Sequence, residues 1–363
     1  MRVLVPKKSL ADTLGRVERI IPNRSSNPGL SLLRIDVRDG ALELSGSNMD
    51  VDIRAKVSAD AQGNGSYAVT AHVFGQVVRA LPGTDVAIEF AETEMQVSSG
   101  NYTTKLQLMS PSSTPVLSFA TELGGALDAR LLSRALGAVR YAAAVADFQA
   151  VFRGVKLELR ESHTRAVATD GFRLAYYHLD QGTGLEADII VPARSVEELL
   201  RVLEEGNVEL ELDGAQLGVQ HAGYSLNLKL MDGTFPDYER VIPSTYPVSI
   251  TLPAVDLAEA VSRVALMADK SANNRVDLFV KDGQLQITAE GSFGRSQEAI
   301  DVMQEGTDSE IQLAYNSKYL IDALAPVAGD IRLRFSGMNA SPSVVNDLND
   351  PSYLAMVVPL RTS

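Results

Sequence analysis

A chain of 363 residues, 45% apolar and 22% charged, has an ordinary globular composition, and its zero cysteines exclude disulfides, thiolate metal sites and a cysteine nucleophile. No apolar run is long enough to span a bilayer. The opening Met-Arg-Val-Leu-Val-Pro-Lys-Lys also lacks the apolar core and cleavage site of a secretory signal, so a cytoplasmic location is expected. The net charge of −13 argues against phosphate binding by the surface as a whole, which makes the distribution of Lys and Arg the informative quantity.

In chain order, residues 7–20 show apolar Leu10, Leu14 and Val17 at helical spacing. Alternating strands follow at 30–37, 41–45 and 51–57, with Arg38-Asp39-Gly40 as a hairpin turn. A strand at 66–70 leads into a second helix at 71–81, and strands at 85–91 and 94–98 close the copy. After the Pro/Ser-rich stretch 110–115 the plan restarts. Its parts are a helix at 128–142 with Leu132, Leu136 and Val139, strands at 155–160, 166–169, 174–178 and 189–192, a helix at 193–205, and strands at 208–213 and 217–220. After a second linker, 243–247, it runs a third time. Here the helix is 253–270 with Leu257, Val261 and Val264, followed by strands 276–280 and 285–289 around Lys281-Asp282-Gly283, strand 311–314, helix 315–325, and strands 331–336 and 344–348. The second helices start at equal intervals of 122 residues, and the first helices recur at 122 and about 125. Periods this long mark tandem domains, since solenoid repeats run about 20 to 50 residues. Each copy is an antiparallel sheet with two helices on one face, an α+β arrangement.

The six helical segments carry a net +2, leaving −15 for the strands and loops. Two readings fit: a surface that attracts phosphates, or the ordinary tolerance of helices for Lys and Arg. Enzymatic chemistry is nearly absent from the pattern. His72, His163, His178 and His221 are scattered without metal-ligand spacing, and neither a phosphate loop nor a Gly-x-Ser-x-Gly elbow occurs. Asp347 and Asp350 lack cation-loop spacing and read as a solvated turn. No catalytic residue, metal or cofactor is therefore expected.

Two segments and the terminal run are too particular to be core filler. They are Thr169-Asp170-Gly171-Phe172-Arg173-Leu174, Phe235-Pro236-Asp237-Tyr238-Glu239-Arg240-Val241, and Met356-Val357-Val358-Pro359-Leu360-Arg361. Together with the threefold repeat they resemble the bacterial DNA polymerase III beta subunit family, the sliding clamps, over the whole chain. The resemblance implies three tandem clamp domains, 1–115, 116–245 and 246–363, with sheets outside and two helices per domain inside. Two chains would join head to tail as a ring-shaped homodimer around duplex DNA.

It further implies a pocket for a short linear motif carried by the polymerase III catalytic subunit and by other polymerases and repair proteins. Thr169, Gly171, Phe172, Arg173, Leu174, Pro236, Arg240, Val241, Met356, Val358, Pro359, Leu360 and Arg361 would build it, with Val151 and Phe152 aligned to apolar pocket positions. An apolar floor with an arginine rim suits aliphatic anchors and a Gln or acidic end. Phe172 stands where many members have His, Val358 where Met is frequent, and the chain runs one residue past the usual ending. A terminal edge strand is the alternative for the last run.

Arg24 matches a family position that touches DNA; Lys7, Arg79, Arg134, Arg194 and Lys318 are further candidates if they face the hole, and solvated side chains otherwise. Leu266 and Met267 match the subunit interface or are core residues. A clamp-loading ATPase is an implied partner, and no membrane is. The reading from another class is a triplicated β-rich enzyme on an acidic or sugar substrate, with Asp170 and Asp237 as acid and base.

Overall fold

The computed structural model describes residues 1–38, 40–120, 124–145, 150–337 and 341–361. Asp39, at the centre of the first expected hairpin turn, lies outside the described residues, as do Thr362 and Ser363. The chain divides into two compact units. One comprises Met1–Arg130, Thr183–Leu185 and Arg194–Leu230; the other comprises Leu131–Gly182, Glu186–Ala193 and Met231–Ser363. The middle repeat contributes to both.

Among the described residues there are six α-helices: α1 (Lys7–Ile20), α2 (Ala71–Ala80), α3 (Ala129–Val139), α4 (Ala193–Leu200), α5 (Ala254–Val264) and α6 (Ser317–Leu324). The residues at helical spacing are the buried ones. Leu10, Leu14 and Val17 of α1, Leu132, Leu136 and Val139 of α3, and Leu257, Val261 and Val264 of α5 are all essentially inaccessible. Such positions typically lose about 2–5 kcal/mol on truncation to Ala. Within the first unit α1 packs on α2, and within the second α5 packs on α6. No described helix is long and apolar enough to cross a membrane.

Several helix limits differ from the sequence reading. α3 begins one residue later than expected and gives way to a 3₁₀ turn at Arg140–Ala142. α4 stops at Leu200, because the Val202 N–H turns back to the Leu199 carbonyl and the Glu204 N–H goes to the His221 ring instead of continuing the helix. α5 likewise ends in a 3₁₀ turn, Ala265–Met267. The third second-helix was expected to start at Tyr315, yet Tyr315 and Asn316 belong to the strand Glu310–Asn316. The Asn316 side chain accepts the Lys318 N–H at 3.0 Å and caps the helix there. The copies are thus offset by 122 and then 124 residues, which brings them within one residue of the 122 and 125 of the first helices.

Among the described residues the first unit holds a five-stranded and an eight-stranded sheet, the second a nine-stranded and a four-stranded sheet, every pairing antiparallel. Several strands were missing from the sequence reading, among them Tyr102–Gln107, Tyr224–Lys229, Gly294–Asp301 and Tyr353–Val357. The first and third are edge strands whose exposed faces are polar, so the apolar signal is weak. Tyr353–Val357 is no edge: it lies between Arg173–Leu179 and Ser343–Asp347 in the nine-stranded sheet. After the last strand of each copy, one N–H reaches the residue three positions before the second helix. Met109 bonds Ala68 at 2.8 Å, Met231 bonds Ile190 at 2.8 Å and Leu360 bonds Ala314 at 2.7 Å.

Candidate functional site

The turn 169–173 is built by its own side chains. The Asp170 carboxylate accepts the N–H groups of Phe172 (2.9 Å) and Arg173 (3.0 Å), while the Thr169 hydroxyl accepts the Gly171 N–H and donates to the Arg173 carbonyl at 2.7 Å. Gly171 sits at φ +88°, where a Cβ is disfavoured. Phe172 at the tip is 60% exposed.

Arg173 departs from the expected arginine rim. Neighbouring residues of a strand point to opposite faces, so Arg173 and Leu174 cannot share one wall. The Arg173 guanidinium turns away from Leu174, bonds Asp170 at 3.0 Å and Asp322 of α6 at 2.5 Å, and lies over the rings of Tyr319 (4.5 Å) and Tyr141 (5.5 Å). Burial pulls its pKa down, but hydrogen bonding to Asp322 and the Asp170 charge outweigh this and raise it. It holds the turn from the face opposite Leu174.

Leu174 lies on the other face, directly opposite Met356, which is opposite Val344. These three join Val167, Ile190, Phe235 and Tyr238 in one buried cluster, with Val151, Tyr176, Met231, Ile242, Tyr246 and Leu354 at its margin. The segment from Met231 to Tyr246 therefore covers this face, anchored by aromatic side chains that the sequence reading did not single out. Phe235 meets the Phe152 ring edge-on at 6.5 Å between centroids. The Tyr238 hydroxyl accepts from Arg165 at 3.0 Å and donates to Glu158 at 3.1 Å. Phe235 and Tyr238 point in, so Pro236, Arg240 and Val241 are left outward, with Arg240 paired to Asp237 at 2.7 Å. The period-three spacing of Phe235 and Tyr238 was the available signal.

The terminal run closes the arrangement. The Val358 N–H donates to the Phe172 carbonyl at 2.9 Å, and Leu360 crosses to Ala314. Pro359 is buried, Val358 and Leu360 are half-buried, and Arg361 is exposed. The structure thus brings together a buried floor (Phe152, Thr169, Leu174, Met356) and an apolar rim (Val151, Phe172, Val241, Val358, Leu360). Both carboxylates of the enzymatic reading are engaged, Asp170 by the turn and Arg173, Asp237 by Arg240.

The candidate DNA contacts fall into two groups. Arg24, Arg194 and Lys318 are exposed and have no ion pair among the described residues. Three others are already engaged: Lys7 donates to the Leu81 carbonyl at the end of α2, Arg79 pairs with Glu18 at 2.6 Å, and Arg134 pairs with Asp350 at 2.7 Å. Leu266 is not a core residue. It is 75% exposed, half-buried Met267 follows it, and Phe293 in the turn before the edge strand Gly294–Asp301 is 90% exposed.

Comparison with known proteins follows the repeat. Models of the DNA polymerase III beta subunit match its N-terminal domain at residues 1–118, its central domain at 126–237 and its C-terminal domain at 239–361. The chain is 29% identical to the beta sliding clamp of Caulobacter vibrioides over 378 aligned positions, covering 99% of this chain and 100% of the relative. It is 28% identical to that of Escherichia coli K12, with the same coverage. The sliding clamp of Pseudomonas aeruginosa, solved bound to griselimycin, superposes with a TM-score of 0.92 at 25% identity, covering 100% of both chains. Profile, curated relatives and fold agree along the whole length, and the chain belongs to the DNA polymerase III beta subunit family, the sliding clamps.

Proposed function

We propose that two copies of the chain close head to tail into a ring around duplex DNA and tether a polymerase, and other proteins bearing the same short motif, without catalysing a reaction. The three clamp domains divide near residues 115 and 245. The observation that carries this reading is a pair of unpaired sheet edges: Tyr102–Gln107 ends the five-stranded sheet and Gly294–Asp301 the four-stranded one. Exposed edges invite strand addition, and joining two unlike edges gives a heterologous interface that must close on itself or grow into a filament. Family membership selects the closed form. A closed ring has no end to thread, so loading falls to an ATPase partner in the cytoplasm, at the nucleoid.

The hold on DNA is then topological, with Arg24, Arg194 and Lys318 supplying few phosphate contacts that salt readily releases. Loaded onto a circular duplex, the protein should stay bound in high salt and leave when the circle is cut. Equal retention on cut and uncut circles would falsify the ring.

A further inference from the structure

The row of residues that forms the floor does not stop at the apolar cluster. Leu174, Met356 and Val344 face one another across three strands, and the next residue in that row, on Asp330–Phe335, is Arg334. One row along, Tyr176, Leu354 and Asn346 lead in the same way to Arg332. Half-buried Leu354 and Tyr246 pack against the cluster and extend its apolar side chains toward the two arginines.

The arginines are poised and poorly matched. The Arg334 guanidinium lies 4.1 Å from the centroid of the Tyr246 ring and has no carboxylate within 4.0 Å among the described residues. Arg332 has only Glu305, at 3.7 Å, with both side chains substantially exposed. The Nε atoms of both, and the Oδ1 of Asn346 beside Arg332, are buried without a hydrogen-bond partner among the described residues. In a chain of net charge −13, a guanidinium without a carboxylate partner, held over an aromatic ring beside half-buried apolar side chains, is complementary to a planar carboxylate.

We propose that Arg334, assisted by Arg332, is a carboxylate-recognition extension of the peptide pocket that reads an Asp or Glu flanking the aliphatic anchor of a docked partner. The inference rests on the pocket reading above. Two strand spacings separate Met356 from Arg334, about 10 Å, which an extended peptide covers in about three residues. The acidic residue therefore stands about three positions from the anchor.

The test uses the full chain and three labelled peptides containing Gln-Leu-Ser-Leu-Phe, one with neutral flanks, one with Asp at the third and fourth positions on the N-terminal side and one with Asp at the third and fourth positions on the C-terminal side. One acidic version should bind the unmodified protein at least about tenfold tighter than the neutral peptide, the size of a charge-assisted hydrogen bond. That advantage should shrink with added salt and vanish in Arg334→Gln, whose unchanged affinity for the neutral peptide reports an intact pocket. Arg332→Gln should remove a smaller part. Equal binding of acidic and neutral peptides to the unmodified protein sinks the extension and leaves the pocket standing. Binding of neither sinks both. If Arg334→Gln lowers retention on DNA while leaving every peptide affinity alone, the arginines serve phosphates and the proposal falls.

Discussion

Arg173 and Arg240 carry the same side chain, and the family motif places both at the pocket, yet their surroundings separate them. The Arg173 side chain is 10% exposed and bridges two carboxylates between two tyrosine rings, whereas the Arg240 side chain is 85% exposed with one carboxylate partner. Replacing Arg173 by Ala strands Asp170 without its cation and opens a gap beside Tyr319. It should cost about 3 kcal/mol, near the lower end for breaking a buried pair. Arg240→Ala should cost under about 1 kcal/mol. Urea denaturation of the two variants checks the contrast, and similar midpoints would mean Arg173 is not holding the turn. Gly171 gives a second case. Its counterpart in the first repeat is Met49 at φ +78°, with Asn48 accepting the Asp50 and Val51 N–H groups as Asp170 does for Phe172 and Arg173. The added Cβ of Gly171→Ala would meet nothing closer than the Phe152 ring at 3.9 Å, so only backbone strain remains, about 1–2 kcal/mol by the same urea assay.

At the scale of elements, one turn and one crossing strand were used twice, and only side chains decide which copy can take an apolar peptide. Lys229 donates to the Asp50 carbonyl at 2.9 Å just as Val358 donates to that of Phe172. The first copy presents Asp50 and Asp52 where the second presents Phe172 and Leu174, so of the two the second is the copy expected to take an aliphatic anchor. The turn was legible, because Thr-Asp-Gly dictates it, but the sequence reading put Arg173 and Leu174 on one pocket wall although strand alternation separates them. The cover segment was less legible. Residues 231–246 contain one short 3₁₀ turn, Glu239–Val241, and no other regular element, and their aromatic anchors show no period beyond Phe235 and Tyr238. Tyr353–Val357 was missed as an inner strand because five residues ending at a Pro look like a tail until their partners on both sides are known. The prediction at this scale concerns Leu360, which is half-buried and tied through its backbone to Ala314. Leu360→Asp keeps that backbone bond but puts a charge where a partner's aliphatic group would rest. Affinity for the neutral Gln-Leu-Ser-Leu-Phe peptide should fall at least about tenfold, or 1.4 kcal/mol, in calorimetry. Removing 358–363 should do the same, and undiminished binding by the truncated protein would reduce the terminal run to a strand end.

For the whole molecule, assembly turns on a surface that costs the isolated chain. Leu266 and Phe293, 75% and 90% exposed, and half-buried Met267 stand beside the unpaired edge Gly294–Asp301. Apolar side chains next to an open edge are an aggregation hazard unless a partner covers them. The edge Tyr102–Gln107 carries Leu106 and Lys105 among Thr residues, whereas Gly294–Asp301 carries Glu298 and Asp301, so the two differ in character. The expected species is a dimer of about 78 kDa, twice the 39.0 kDa of one chain. Changing Leu266 and Met267 together to Lys should yield folded monomers, since each buried, unpaired ammonium costs several kcal/mol while both positions lie outside the core. Leu360→Asp should leave the dimer intact, because Leu360 touches neither free edge. Light scattering on the unmodified chain, the double variant and Leu360→Asp separates these outcomes, and a monomer from the unmodified chain at micromolar concentration would remove the basis for the ring.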